Sequence, residues 1–173
     1  MPVSQLALDF MGTAISPRYE KWAHRFLNLA KEVSSWSKDP STQVGAVIVR
    51  PDKTVCSLGY NGFPRSMLDT KSLYEDREEK LSRIIHAEIN ALLNSRENVR
   101  GYTLYTYPFI PCDRCMVMII QAGISSIVSL KPSKEANLRW EKAFEKSRQY
   151  AYSCGVKVQE IEVNDHIPGR VSS

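Results

Sequence analysis

His86-Ala87-Glu88 and, well downstream, Pro111-Cys112-Asp113-Arg114-Cys115 carry the side chains with the greatest capacity for chemistry in this sequence. One imidazole and two thiols are good zinc ligands once the thiols lose their protons. Cysteines three positions apart both turn toward one ion if they occupy the first turn of a helix. There the helix dipole and the free backbone N–H groups favour thiolates. Two thiolates balance the charge of Zn²⁺, and a neutral imidazole completes a set of three protein ligands. A tetrahedral ion then keeps one position at which water is activated. Glu88, two residues beyond His86, has no metal to bind in that scheme and can carry protons. A C-x-x-C pair alone also serves as a redox pair or as half of a structural zinc knuckle. A structural site requires a fourth ligand. Cys56, Cys154, His24 and His166 are available, and none stands at finger spacing from the pair.

These groups sit in a chain of 173 residues, the size of one ordinary domain, with 43% apolar and 24% charged residues. One domain over 1–173 is expected, with residues 1–16 and 164–173 as flexible tails. The N-terminal stretch lacks the basic leader of a signal peptide, and no apolar run reaches bilayer-spanning length. Cys56 and Cys154 lie among apolar neighbours and read as buried free thiols, which fits a reducing cytoplasm. The net charge of +4 suits a phosphorylated ligand as well as it suits scattered surface lysines.

The elements that must position the chemistry follow from periodicity. Trp22, Phe26, Leu29, Ala30 and Val33 repeat at helical spacing after Pro17, and Asp39-Pro40 closes that segment. His24 lies beside this face as a structural or solvent-facing residue. The continuous run Val44–Val49 reads as a strand buried on both faces, and Pro51-Asp52-Lys53 turns it into a second strand ending at Gly59. Gly45 and Ala46 leave room for a helix or ligand to approach the sheet. Gly59-Tyr60-Asn61-Gly62-Phe63-Pro64-Arg65 is a shaped loop. The charged residues 66–82 read as a solvated excursion. Ile84–Leu93 reads as a buried helix, Tyr102–Tyr107 as a strand, Cys112–Gly123 as a helix whose methionines fill the core, and Ile124–Leu130 as a strand. A long helix over Glu135–Cys154 and a strand over Val156–Val163 complete the series, and His166 falls in the tail. The order α-β-β-α-β-α-β-α-β predicts a mixed, largely parallel sheet with helices on both faces.

The pairing of H-x-E with P-C-x-x-C is the signature of zinc-dependent nucleobase deaminases, and the chain from about Tyr19 to Val163 resembles the cytidine deaminase-like fold. Three runs make it similar, more narrowly, to the deoxycytidylate (dCMP) deaminase family: Ser37-Lys38-Asp39-Pro40-Ser41-Thr42-Gln43-Val44-Gly45-Ala46, Gly59-Tyr60-Asn61-Gly62-Phe63-Pro64 and Ile120-Gln121-Ala122-Gly123-Ile124. The resemblance implies a three-layer α/β/α domain with a central five-stranded mixed sheet. It implies hydrolytic deamination of dCMP to dUMP and ammonia, feeding thymidylate synthesis. One catalytic Zn²⁺ would be held by His86, Cys112 and Cys115, with Glu88 as the catalytic proton carrier. Asn61 is the expected sugar or base contact, and the Ala87 backbone N–H is expected to face the pyrimidine. Lys38 and Arg114 are candidates for the 5′-phosphate on charge and proximity to the motifs. The family further implies a hexamer activated by dCTP and inhibited by dTTP, with Mg²⁺, through a segment containing Gly59, Tyr60, Asn61, Gly62 and Arg65. Two departures stand out: residues 62–85 contain no Cys or His for a second zinc, and Ser66 replaces a glycine often found there.

Two other readings compete. A deaminase acting on a base within RNA or DNA asks for a basic track and exposed aromatics. Here the basic residues are spread out and interrupted by acids, so no nucleic-acid partner is expected. A non-catalytic zinc protein has no use for a proton carrier at position 88.

Overall fold

The structure, a computed structural model, describes residues 17–163. The expected tails, 1–16 and 164–173, and His166 with them, lie outside the described residues. Helix α1 (Pro17–Ser34) is followed by strands β1 (Gly45–Val49) and β2 (Val55–Tyr60). Two short helices, α2 (Lys71–Glu75) and α3 (Arg77–Arg83), lead to α4 (Ala87–Asn94). Then come β3 (Thr103–Tyr107), α5 (Asp113–Ala122), β4 (Ser126–Leu130), α6 (Lys134–Ser153) and β5 (Lys157–Ile161).

The strands form one mixed sheet in the order β2-β1-β3-β4-β5. β1 runs antiparallel to both β2 and β3, whereas β3, β4 and β5 are parallel. The pairings thus divide evenly between the two kinds, less parallel than periodicity implied, because the hairpin inserts β1 between β2 and β3. Successive side chains of β1 alternate between two cores, as the period of a strand requires. Val47 and Val49 join Tyr105, Val128 and the apolar face of α1, whose Ala23, Phe26, Leu27, Ala30 and Val33 are buried. Ala46 and Ile48 join Leu104 and Ile127 against α4, α5 and α6, through Ala87, Ala91, Met116, Ile119 and Phe144. The result is the three-layer α/β/α arrangement. Gly45 is where α1 comes closest: a Cβ there would collide with the Ala30 carbonyl and the Ser34 nitrogen.

Several local expectations need correction. Residues 66–82 are not simply solvated. Asp76 caps α3 by accepting from the N–H groups of Glu78 and Glu79, Tyr74 is buried, and its ring stacks on Phe63 at 4.1 Å. The helix bearing Glu88 starts at Ala87, not Ile84. Ile84 ends α3, and Ile85 exchanges backbone hydrogen bonds with Gly62. Cys154, expected to be buried, is exposed at the end of α6, and Cys56 is half-buried beside Ser95. Met116 fills the core as expected, but Met118 is exposed. His24, within α1, is buried. No helix among the described residues is long and apolar enough to cross a membrane.

Candidate active site

The strand register decides which loops meet. Gly45 opens β1, and it pairs with Tyr60 at the end of β2 and with Tyr107 at the end of β3. The segments after Tyr60 and Tyr107, and the segment before Gly45, therefore emerge at one end of the sheet. That end lies beyond the carboxyl termini of the parallel strands, the usual place for ligands in open α/β sheets. Two helix N-termini also point there. His86 is the N-cap residue of α4, and Cys112 is the N-cap residue of α5, its Sγ accepting from the Cys115 N–H.

His86 Nδ1 lies 3.5 Å from Cys112 Sγ and 3.2 Å from Cys115 Sγ. All three donor atoms lie within 4.8 Å of one another, the one such metal-competent cluster among the described residues. Zinc–sulfur and zinc–nitrogen bonds of ordinary length at tetrahedral angles give an N···S edge of about 3.6 Å. The residues present therefore fit a zinc ion in both donor chemistry and spacing. The three groups also hydrogen-bond one another. Hydrogen bonding holds the Cys112 thiol down at about 4, and His86, bonded to that thiolate, rises to about 9. The neighbouring thiolate and burial push Cys115 well above its ordinary range. A dication displaces those protons from the imidazole and the second thiol.

Glu88 occupies the first turn of α4 and is only 4% exposed. Its Oε2 has no hydrogen-bond partner. Burial raises its pKa, opposed by the nearby His86 charge. A buried carboxyl with an idle oxygen is costly unless something arrives to use it.

The remaining expected site residues divide. Ala87 is fully buried at the start of α4. Asn61 is buried, but its amide is engaged within the protein: Oδ1 accepts from the Val44 N–H at 2.8 Å, and Nδ2 donates to the Thr42 carbonyl at 2.9 Å. Lys38 is exposed and pairs with Asp69 at 2.7 Å. Arg114 is exposed in the first turn of α5. Gly59 lies within β2, where a Cβ would strike the backbone of Ala87 and Ala91 in α4. Tyr60, Gly62, Phe63, Pro64 and Arg65 line a cleft of about 300 Å³ with Ile85, Asn90, Leu93 and Asn94.

Sequence reasoning missed the supports behind the cysteine turn. The Ser147 hydroxyl of α6 donates to the Pro111 carbonyl at 2.7 Å, and the Thr106 hydroxyl donates to the Phe109 carbonyl at 2.9 Å. Ser147 left a trace, because it lies between Phe144 and Ala151 on the apolar face of its helix, where a polar residue needs a buried partner.

Residues 20–131 match the family described as the cytidine and deoxycytidylate deaminase zinc-binding region. The chain belongs to this family. The deaminase is 39% identical over 138 residues to an uncharacterized deaminase in the luxG 3′ region of Aliivibrio fischeri, covering 80% of this chain and 92% of that one. It is 35% identical over 116 residues to the deoxycytidylate deaminase of Mus musculus, covering 64% of this chain and 65% of the mouse protein. Among solved structures, the dCMP deaminase of cyanophage S-TIM5 in complex with dCMP and dUMP superimposes with a TM-score of 0.63 at 22% identity. That match covers 86% of the deaminase and all of the phage chain, a likeness of fold.

Proposed function

We propose that this deaminase converts dCMP and water into dUMP and ammonia, using one zinc ion held by His86 Nδ1 and the sulfurs of Cys112 and Cys115. One observation carries the reading: a buried, unpartnered oxygen belongs to Glu88, two positions beyond the His86 of a soft N/S/S donor set. A structural zinc knuckle has a fourth protein donor in place of that carboxyl. The choice of dCMP is supported by the mouse relative's name and by the ligands of the phage enzyme.

When bound, zinc lowers the pKa of a water molecule toward neutrality and so supplies a nucleophile for C4 of the cytosine. Glu88, made more basic by burial, accepts the proton that the attacking water gives up and delivers it to N3. As the new C4–O bond becomes a carbonyl, its remaining proton passes through the same carboxyl to the amino group leaving C4. Ala87 offers its N–H toward the pyrimidine, and Asn61 borders the sugar or base. Lys38 and Arg114 meet the 5′-phosphate, with Lys38 exchanging Asp69 for it.

The decisive experiment follows ultraviolet absorbance with cytidine, dCMP, dCTP and tRNA as substrates. dCMP is expected to turn over fastest, and Glu88→Gln is expected to keep zinc and fold while losing at least about 10²-fold in kcat. A fully active Glu88→Gln variant overturns the mechanism, and preference for tRNA overturns the substrate. Regulation is part of the same proposal: a cytoplasmic hexamer, activated by dCTP and inhibited by dTTP with Mg²⁺, the effectors bound along Gly59–Arg65. Sigmoidal dCMP kinetics made hyperbolic by dCTP support it, and indifference to both triphosphates removes it.

A further inference from the structure

The helical segment between β2 and His86 is tied to the site by one nearly dry ion pair. Lys80 of α3 lies 3.1 Å from Asp39 Oδ1, with side-chain exposures of only 12% and 7%. The Lys80 ammonium also donates to the Ser41 hydroxyl at 3.0 Å. The same Asp39 oxygen accepts the N–H groups of Ser41 and Thr42, at 2.8 and 3.2 Å, so the carboxylate sets the turn of the 39–42 loop. Thr42 passes that order on, because its carbonyl receives Asn61 Nδ2. Asn61 is bonded in turn to Val44 through its side chain and its backbone N–H. The next residue, Gly62, exchanges two backbone hydrogen bonds with Ile85, the neighbour of His86. A continuous set of contacts thus runs from Lys80 to the edge of the donor cluster.

We propose that Lys80 is a positioning residue for the deamination: by neutralising buried Asp39 it holds the 39–44 loop against Asn61 and shapes the approach to His86. The physical reason lies in the asymmetry of buried pairs. Removing the ammonium leaves a carboxylate with little access to water, and an unpaired buried charge is far more costly than a lost surface pair. The loop's cheapest remedy is to open until water reaches Asp39, which draws Ser41 and Thr42 away and frees the Asn61 amide. Lys71–Glu75, on the same excursion, is exposed on both sides at 87% and 59% and has no such reach. Because the loop borders the proposed substrate position throughout the reaction, its loosening weakens uniform binding and raises KM more than it lowers kcat. That kinetic readout rests on the dCMP reading of the previous section.

The test compares wild type, Lys80→Met, Lys80→Arg, the double variant Lys80→Met/Asp39→Asn and the control Lys71→Met, all as zinc-replete full chains. Steady-state dCMP kinetics are read beside amide hydrogen exchange. Lys80→Met is expected to raise KM at least about tenfold and to accelerate exchange at Ser41, Thr42 and Val44 by a similar factor, with β3, β4 and β5 unchanged. Lys80→Arg restores most of both effects, the double variant is milder than Lys80→Met, and Lys71→Met resembles wild type. Unaltered KM and exchange in Lys80→Met overturn the proposal. So does exchange accelerated equally across the whole sheet, which marks a general stability role. If wild type fails to deaminate dCMP, the substrate reading falls, and the exchange pattern alone decides the role of Lys80.

Discussion

Glu88 and Glu97 show how far the surroundings of one carboxyl govern what it can do. Glu88 is sealed in the first turn of α4 with an idle oxygen, so its proton affinity rises, as the proposed role of proton carrier requires. Glu97 is gripped at the surface. Arg50 donates to both of its oxygens at 2.6 and 3.0 Å, and the Tyr102 hydroxyl adds a third bond at 2.9 Å. The guanidinium first, and then the phenol, hold its pKa at about 2, below its ordinary 4.5. A carboxyl with a depressed folded-state pKa contributes stability above its unfolded value and loses it as pH falls through the folded value. Glu97→Gln is therefore expected to unfold at lower urea than wild type at pH 7, with the gap closing between about pH 4.5 and pH 2. Urea midpoints of the two proteins across that window check the sign, and a gap that widens on acidification contradicts it.

At the scale of elements, the site depends on helices lying unusually close to the sheet. Gly59 of β2 faces the backbone of α4 at Ala87 and Ala91, with no space for a methyl group. Gly59→Ala must displace the helix that carries Glu88, so it is expected to lower stability by roughly 1–3 kcal/mol and to lower kcat with it. Chemical denaturation and dCMP kinetics measure the two effects together, and a loss of stability without loss of kcat refutes the link. On the opposite side of the site, α6 steadies the cysteine turn through Ser147 and the Pro111 carbonyl. Ser147→Ala leaves that carbonyl buried without its donor and is expected to cost about 1–3 kcal/mol, again read by denaturation. The kinetic expectation is a zinc dissociation rate above wild type, because Pro111 precedes Cys112, a proposed ligand.

The molecule as a whole joins two helix N-termini that are distant in sequence. α4 and α5 lie on the same face of the sheet, and the β1 register brings the hairpin end and the Pro108–Cys112 segment to one edge. A zinc ion held as proposed by His86 of one helix and by Cys112 and Cys115 of the other would therefore staple that layer. Metal that binds only the folded state stabilises it by mass action, by about 4 kcal/mol when free zinc exceeds its Kd a thousandfold. Treatment with a strong chelator is expected to abolish turnover and lower Tm by several degrees, and one equivalent of zinc is expected to restore both. An unchanged Tm after metal analysis shows the zinc removed would contradict the staple.

The residues of the chemistry were legible in the chain itself. H-x-E and P-C-x-x-C point to His86, Cys112 and Cys115, which the fold does gather into one donor cluster, because donor chemistry and helical spacing are local properties, and the five strands and four main helices follow from equally local periodicity. The unbroken apolar run of β1 even foretold burial on both faces. What periodicity missed was non-local. The order of strands, the helices hidden in a charged run, and the exposure of Cys154 depend on neighbours far away in sequence. The pairing of Lys80 with Asp39 is of that kind. Nothing in either residue's own surroundings marks it, since a lysine among acids reads as solvated until folding brings a buried carboxylate within 3.1 Å. Local chemistry was written in residue types. The geometry that makes it usable arises only where the sheet brings separate loops together.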